Sequence, residues 1–210
     1  MSTLTASDRN RARSSSDLVL ASSSPYRRAL LERLTYRFLW RAPAVNETPL
    51  PSERPTDLVR RLAIAKARAL ISAYPNAILI GSDQIAVVDG HTLGKPGTAA
   101  HALAQLTATS GRSVVFLTSV CVLDGASKRY ELEVVPTTVR FRELNERQIC
   151  NYIDREQPLD CAGSFKCEGL GIALFESITS SDPSALVGLP LIALTGMLSR
   201  AGFDVLAKSP

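Results

Sequence analysis

The sequence predicts an α/β fold: a mixed, twisted sheet with flanking helices on both faces, in one body or two lobes. Three observations predict it. Helical patterns interleave with strand-like runs along the whole chain. The run Ala77-Ile78-Leu79-Ile80 is apolar without alternation, as in a strand covered on both faces. Asp89-Gly90 and Asp124-Gly125 are hairpin signals, which bring antiparallel neighbours into the sheet. Hydrophobic residues make up 45% of the 210 and charged residues 21%, enough for a real core. We read one domain over 17–207, preceded by a Ser-, Thr- and Arg-rich tail, 1–16, with the composition of a disordered segment.

The elements follow in order. Leu18-Val19-Leu20-Ala21 reads as a buried strand, Ser22-Ser23-Ser24 as a polar turn, and Pro25 as the first residue of a helix capped by Ser24. Arg27 and Arg28 fall in that helix's first turn. Cations there are the wrong sign for the dipole, so they either face water or await an anion that meets both them and the free N–H groups. Tyr36 to Trp40 reads as a strand, and Ala42 to Pro51 is too proline-rich for a regular element. Glu47 sits in the middle of that loop, where a surface carboxylate is the ordinary reading.

Pro55 to Tyr74 is the clearest helix, and Lys66 stands in the middle of its apolar stripe while Arg60, Arg61 and Arg68 lie off it. A lysine so placed must snorkel out or meet a buried anion. Asp83 falls at or near the C-terminal end of the apolar strand beginning at Ala77, at the sheet edge where open α/β folds bind ligands. A hairpin leads to Gly94-Lys95-Pro96. The Walker spacing is absent, and Pro96 stands where Ser or Thr would be, so a P-loop is rejected and Lys95 remains an isolated candidate.

Thr98–Thr109 and Asn145–Glu156 read as helices, the second capped by Asn145. Val114–Leu123 and Tyr130–Phe141 read as strands of a hairpin. A glycine-rich stretch, Asp160–Gly171, carries Lys166 and Glu168, and Ala173–Glu176 returns to strand. A short helix opens at Asp182-Pro183, and Pro190–Ala201 forms the last helix.

Composition excludes several functions. A net charge of +4 is too mild for sequence-independent nucleic-acid binding. The four cysteines show no CxxC spacing, and neither histidine is near them, which argues against zinc. The most apolar run, 185–198, is short and broken by Gly188, Pro190 and Gly196, so no membrane span is expected. The expected location is the cytoplasm. Lysines number five against nineteen arginines, so a lysine in a structured position departs from the default cation. Cations (Arg27, Arg28, Lys66, Lys95, Lys166) and carboxylates (Glu47, Asp83, Glu168) spread over ordinary elements suit polyphosphate chemistry. Cations hold phosphates, carboxylates hold a divalent metal, and one carboxylate takes a proton from attacking water.

Taken together, Leu20-Ala21-Ser22-Ser23-Ser24-Pro25-Tyr26-Arg27-Arg28, Glu47, Lys66-Ala67, Gly81-Ser82-Asp83-Gln84, Gly94-Lys95-Pro96, Ala162-Gly163-Ser164-Phe165 and Val187-Gly188-Leu189-Pro190 resemble the Maf family of nucleotide pyrophosphatases. The resemblance implies a mixed α/β sheet in two lobes around a cleft, related to the inosine triphosphate pyrophosphatases. It also implies cleavage of a nucleoside triphosphate to the monophosphate and pyrophosphate with a divalent metal, Mg or Mn, in a cytoplasmic homodimer. By position, Asp83 matches the proton acceptor, and Ser22, Arg27, Lys66 and Lys95 match the phosphate path. Glu47 matches a metal-binding acid; the family often has two adjacent acids there, and here the first is Asn46.

Tyr26, Gln84 and Glu168 resemble the branch that prefers 7-methyl-GTP, whereas the dTTP/UTP branch carries Arg, Thr and Gln. An aromatic face suits a base bearing a delocalised positive charge, and a carboxylate can accept from the guanine N1–H and amino group. Tyr stands here where that branch usually has Trp. Three readings therefore stand at this point: a 7-methyl-GTP pyrophosphatase, the same chemistry on dTTP, UTP or canonical GTP, and a non-catalytic role such as a septum-related regulator or nucleic-acid binder.

Overall fold

A computed structural model describes residues 18–35 and 37–207. The tail over 1–16 lies outside the described residues. Among those described, seven strands form one sheet in the order β2-β1-β3-β5-β6-β7, with β4 paired to β3. The strands are β1 (Leu18–Ala21), β2 (Leu39–Arg41), β3 (Ile78–Val88), β4 (His91–Leu93), β5 (Ser113–Asp124), β6 (Tyr130–Phe141) and β7 (Phe175–Ser180). β1 runs parallel to β2 and β3, and the remaining pairs are antiparallel, so the sheet is mixed as predicted.

The helices are α1 (Pro25–Glu32), α2 (Pro55–Arg68), α3 (Ala99–Thr109), α4 (Glu146–Glu156) and α5 (Leu191–Arg200). Their starts follow local chemistry. Ser24 Oγ accepts from the Arg27 N–H, and Asn145 with Gln148 forms a complete capping box at α4. α2 ends six residues before the predicted Tyr74. From Leu70 to Ala73 the chain is tightened by bonds to the third residue back, as it approaches Pro75, which disfavours helix in the residue before it.

Both faces of the sheet are covered. Leu18 and Leu20 join Ile78, Ile80, Val120 and Val122 under α1 and α5, while Val19 and Ala21 join Leu79, Cys121 and Leu123 under α2. The strict alternation along β1 explains its unbroken apolar run. A second core lies toward the other end of the long strands, under α3 and α4. There Phe116, Phe141, Phe165 and Phe175 pack edge to face with ring centroids 4.9–6.0 Å apart. The cleft opens between these two packed regions.

Two features of β3 set the site's position. Its pairing with β1 stops at Gly81, opposite Ala21, but its pairing with β5 runs on to Val87. Asp83 therefore does not end a strand, as the sequence led us to expect. It lies in the middle of β3, just past the point where β1 falls away and leaves that edge open. Gly81 is the close-approach point of α2. A Cβ there would collide with the Ala63 carbonyl and come within 2.9 Å of the Ala67 nitrogen. This contact seats one face of α2 directly over the start of the open edge. Among the described residues, no helix is long and apolar enough to cross a membrane.

Candidate active site

The tight α2–β3 contact has a consequence one turn along the helix. Lys66 is 6% exposed, and its Nζ donates to Asp83 Oδ1 at 2.6 Å. The same ammonium lies 2.7 Å from Glu47 Oε1, delivered by the 42–54 loop. The lysine in the apolar stripe is thus resolved: it meets a buried anion rather than snorkelling. The two carboxylates differ, since the Asp83 side chain is 8% exposed and that of Glu47 58%. Burial pushes the Glu47 carboxyl up. The hydrogen bond and charge of Lys66, with Lys95 and Arg27 behind it, outweigh that and hold it below its ordinary range.

This triad lines a cleft of about 600 Å³. Ser22, Tyr26, Arg27, Glu47, Lys66, Asp83, Gln84, Lys95 and Glu168 border it, whereas Arg28 and Lys166, also singled out from sequence, do not. Arg27 stands on the first turn of α1, with Nε donating to the Gly188 carbonyl at 2.8 Å. Burial lowers its guanidinium below the usual range, against the opposing pull of Asp83 and Glu47. Its charge acts on Asp83 and Glu47 across the cleft. Gly188 takes φ 121°, and its carbonyl also accepts from Ser82 Oγ at 2.9 Å, so one backbone group ties β3, α1 and the 183–188 turn together. Ser22 Oγ accepts from the Ser24 N–H at 3.1 Å and braces the turn into α1. Lys95 is exposed in the loop after β4.

Arg28, the neighbour of Arg27, turns away. Its guanidinium lies 4.8 Å from the centroid of the half-exposed Trp40 ring and 3.8 Å from Glu32. Lys166 also serves elsewhere. Its Nζ donates to the carbonyls of Glu156 and Gln157 at 3.0 and 3.3 Å, completing the C-terminal end of α4.

Tyr26, Asp160, Cys161, Cys167 and Glu168 form a second group in the cleft, and Gln84 lines it too. Burial and the nearby Cys161, Asp160 and Glu168 push the Tyr26 phenol up, so it stays neutral; Cys161 Sγ lies 3.9 Å from its oxygen. Burial first, then Asp160, pushes the Cys161 thiol up to about 12, and burial with Glu168 does the same for Cys167. Gln84 Nε2 donates to Thr118 Oγ1, Ala185 O and Leu186 O at 2.9–3.0 Å. That engagement fixes the amide and leaves its carbonyl oxygen as the group it can offer a ligand.

Charge is thus divided along the cleft, with Arg27, Lys66 and Lys95 around Glu47 and Asp83, and Asp160 and Glu168 around Tyr26, where Lys166 lies 3.9 Å from Asp160. Among the described residues, no group of three or more His, Cys, Asp or Glu is placed to hold a metal by itself. Glu47 and Asp83, two hard oxygen donors brought to one ammonium, are the carboxylates that could share one with phosphate oxygens and water.

Sequence reasoning missed the roles of Arg61 and Glu53, and quoted Gly188 only as part of the Val187-Gly188-Leu189-Pro190 motif. Arg61 forks onto Glu53 and reaches the Thr48 carbonyl beside Glu47. Its position off the apolar stripe of α2 gave no sign of this.

A family model described as Maf-like protein matches residues 17–201. Among similar proteins, one from Nitrosococcus oceani is 54% identical over 90% of this chain and 95% of its own length. One from Aromatoleum aromaticum is 52% identical over 89% and 96%, and one from Pseudomonas aeruginosa is 51% identical over 90% and 98%. All three bear the name 7-methyl-GTP pyrophosphatase.

Proposed function

This chain belongs to the Maf-like protein family, and from that membership and its cleft we propose that it is a nucleoside triphosphate pyrophosphatase acting on 7-methyl-GTP. The relatives cited above carry that name over nearly their whole length. The observation that carries the reading is the buried Lys66–Asp83 pair, joined by Glu47, at the cationic end of a cleft large enough for a nucleotide.

In this reading the triphosphate lies over Arg27, Lys66 and Lys95, which balance its charge, with Ser22 at the turn into α1. Asp83 accepts the proton of the attacking water. The water oxygen bonds to phosphorus, the α–β anhydride bond breaks, and pyrophosphate leaves the nucleoside monophosphate. Lys66 orients Asp83 and Glu47 before substrate arrives, so little rearrangement is needed at the reacting phosphorus. Glu47 and Asp83 would hold a divalent cation, Mg²⁺ or Mn²⁺. When bound, that ion supplies charge neutralisation on the phosphate oxygens.

At the other end, the Tyr26 ring would stack on the base, Gln84 would accept from it through its carbonyl oxygen, and Glu168 would accept from the guanine N1–H and amino group. A 7-methylated guanine is cationic, and that end of the cleft carries Asp160 and Glu168. The acidic surroundings favour it over a neutral base.

The test is pyrophosphate release from 7-methyl-GTP by the full chain and by Asp83→Asn. Loss of a positioned base costs about 10²–10⁴-fold in kcat. Full activity in Asp83→Asn would remove Asp83 from the mechanism.

A further inference from the structure

Glu47 arrives at Lys66 on a loop that has no regular element of its own. Residues 42–54 include Pro43, Pro49 and Pro51 and form no helix or strand. The Glu47 side chain is 58% exposed, and an ion pair so open to water holds a loop only weakly. Something else must keep the carboxylate in place.

The candidate is Arg61, five residues before Lys66 on the same helix. Its Nε donates to Glu53 Oε1 at 2.6 Å and its Nη2 to Glu53 Oε2 at 2.8 Å, a two-pronged pair. The same Nη2 donates to the carbonyl of Thr48, the residue next to Glu47, at 3.1 Å. Glu53 in turn accepts from the Leu50 N–H at 2.9 Å, and Asn46 Oδ1 accepts from the Thr48 N–H at 3.0 Å. The Glu53 side chain is 8% exposed and that of Arg61 30%, against 58% for Glu47. Residues 46 to 53 are thereby fastened at two points to the helix that bears Lys66.

We propose that Arg61 is a positioning residue for the reaction: with Glu53 it clasps the 46–53 loop onto α2 and holds Glu47 at the Lys66–Asp83 pair. The proposal rests on Glu47 taking part in the reaction described above. Arg61 reaches these acceptors from two nitrogens of a planar fork, Nε and Nη2, a geometry that the single ammonium of lysine does not reproduce.

The experiment is a double-mutant cycle on the full chain, with pyrophosphate release from 7-methyl-GTP measured for wild type, Arg61→Ala, Glu47→Gln and the double variant. Arg61→Lys is included as the conservative replacement. Arg61→Ala should lower kcat about 10-fold or more, the scale of a misplaced reacting group, with Arg61→Lys close to it. In the Glu47→Gln background the same change should cost less than about 2-fold, because its target is already gone. An equal factor in both backgrounds marks Arg61 as merely structural and overturns the proposal, as does full activity in Arg61→Ala.

Full activity in Glu47→Gln overturns the positioning role while leaving the pyrophosphatase reading standing. A wild type that releases no pyrophosphate overturns the pyrophosphatase reading instead, and the clasp is then judged by amide hydrogen exchange. Arg61→Ala should speed exchange at Leu50 about 10-fold or more while α2 keeps its protection. Unchanged exchange at Leu50 overturns the clasp.

Discussion

Replacing Lys66 by methionine separates the two carboxylates that share its ammonium. Glu47 is more than half exposed, so water can take over its solvation and its loss of a partner costs about 0–1 kcal/mol. Asp83 is different, since its side chain is 8% exposed and Lys66 is its close ion-pair partner. Removing one member of a buried pair costs about 3–5 kcal/mol, because the other is left charged and unpaired. The cleft admits water, and Arg27 lies close enough to feel Asp83, so the low end applies: about 3 kcal/mol.

For a chain of this size the loss corresponds to a fall in Tm of about 6–12 °C. Urea unfolding followed by circular dichroism, extrapolated linearly, measures it. The decisive arm is the double variant Lys66→Met/Asp83→Asn. Taking away the stranded charge should return about 2 kcal/mol of the loss. Asp83→Asn alone should cost little stability, since Lys66 keeps Glu47. A Lys66→Met loss below about 1 kcal/mol, or a double variant no more stable than the single, refutes the reasoning.

Three further outcomes are expected. Gly81→Ala should destabilise by about 3 kcal/mol or more in the same urea assay, because its methyl meets α2 backbone that cannot yield. Gly94→Ala, with nothing within 4 Å of the new carbon, should be near neutral. The hydrogen bond from Arg61 holds the Glu53 carboxyl at about 2, below its ordinary 4.5. A lowered carboxyl stabilises the fold above the unfolded value and loses that contribution as pH falls through the folded one. The stability difference between wild type and Arg61→Ala should therefore be flat above pH 4.5 and shrink toward pH 2; a difference that shrinks as pH rises contradicts the assignment. Glu168→Gln should lower the kcat/KM preference for 7-methyl-GTP over GTP about tenfold, the margin of a charge-assisted over a neutral hydrogen bond. An unchanged ratio would mean that the carboxylate does not read the base.

What the sequence revealed depended on how far each signal acts. Lys66 was legible because a lysine inside an apolar stripe breaks a helical period, and its explanation, Asp83, lies on the next strand. The turn into α1 was legible because caps and N1 prolines are local devices. Asp83 was found but misplaced, since the length of β3 is set by its pairing with β5, which no run of apolar residues announces. Lys166 looked like a site cation because its type was unusual, yet it donates to carbonyls at the end of α4 and lies 3.9 Å from Asp160, partners set by tertiary packing. Glu47 carried no local signal at all, and neither did the Arg61–Glu53 clasp, whose partners meet only when an irregular loop folds back on α2. The site is thus half written in periodicity and half in the closure of a loop.

The central claim joins the phosphate chemistry at one end of the cleft to a cationic base at the other. The most direct measurement is kcat/KM for pyrophosphate release from 7-methyl-GTP, GTP, dTTP and UTP under identical conditions. 7-methyl-GTP should be turned over with the highest kcat/KM of the four, and dTTP and UTP should be poor substrates. Equal turnover of UTP and 7-methyl-GTP would contradict that claim.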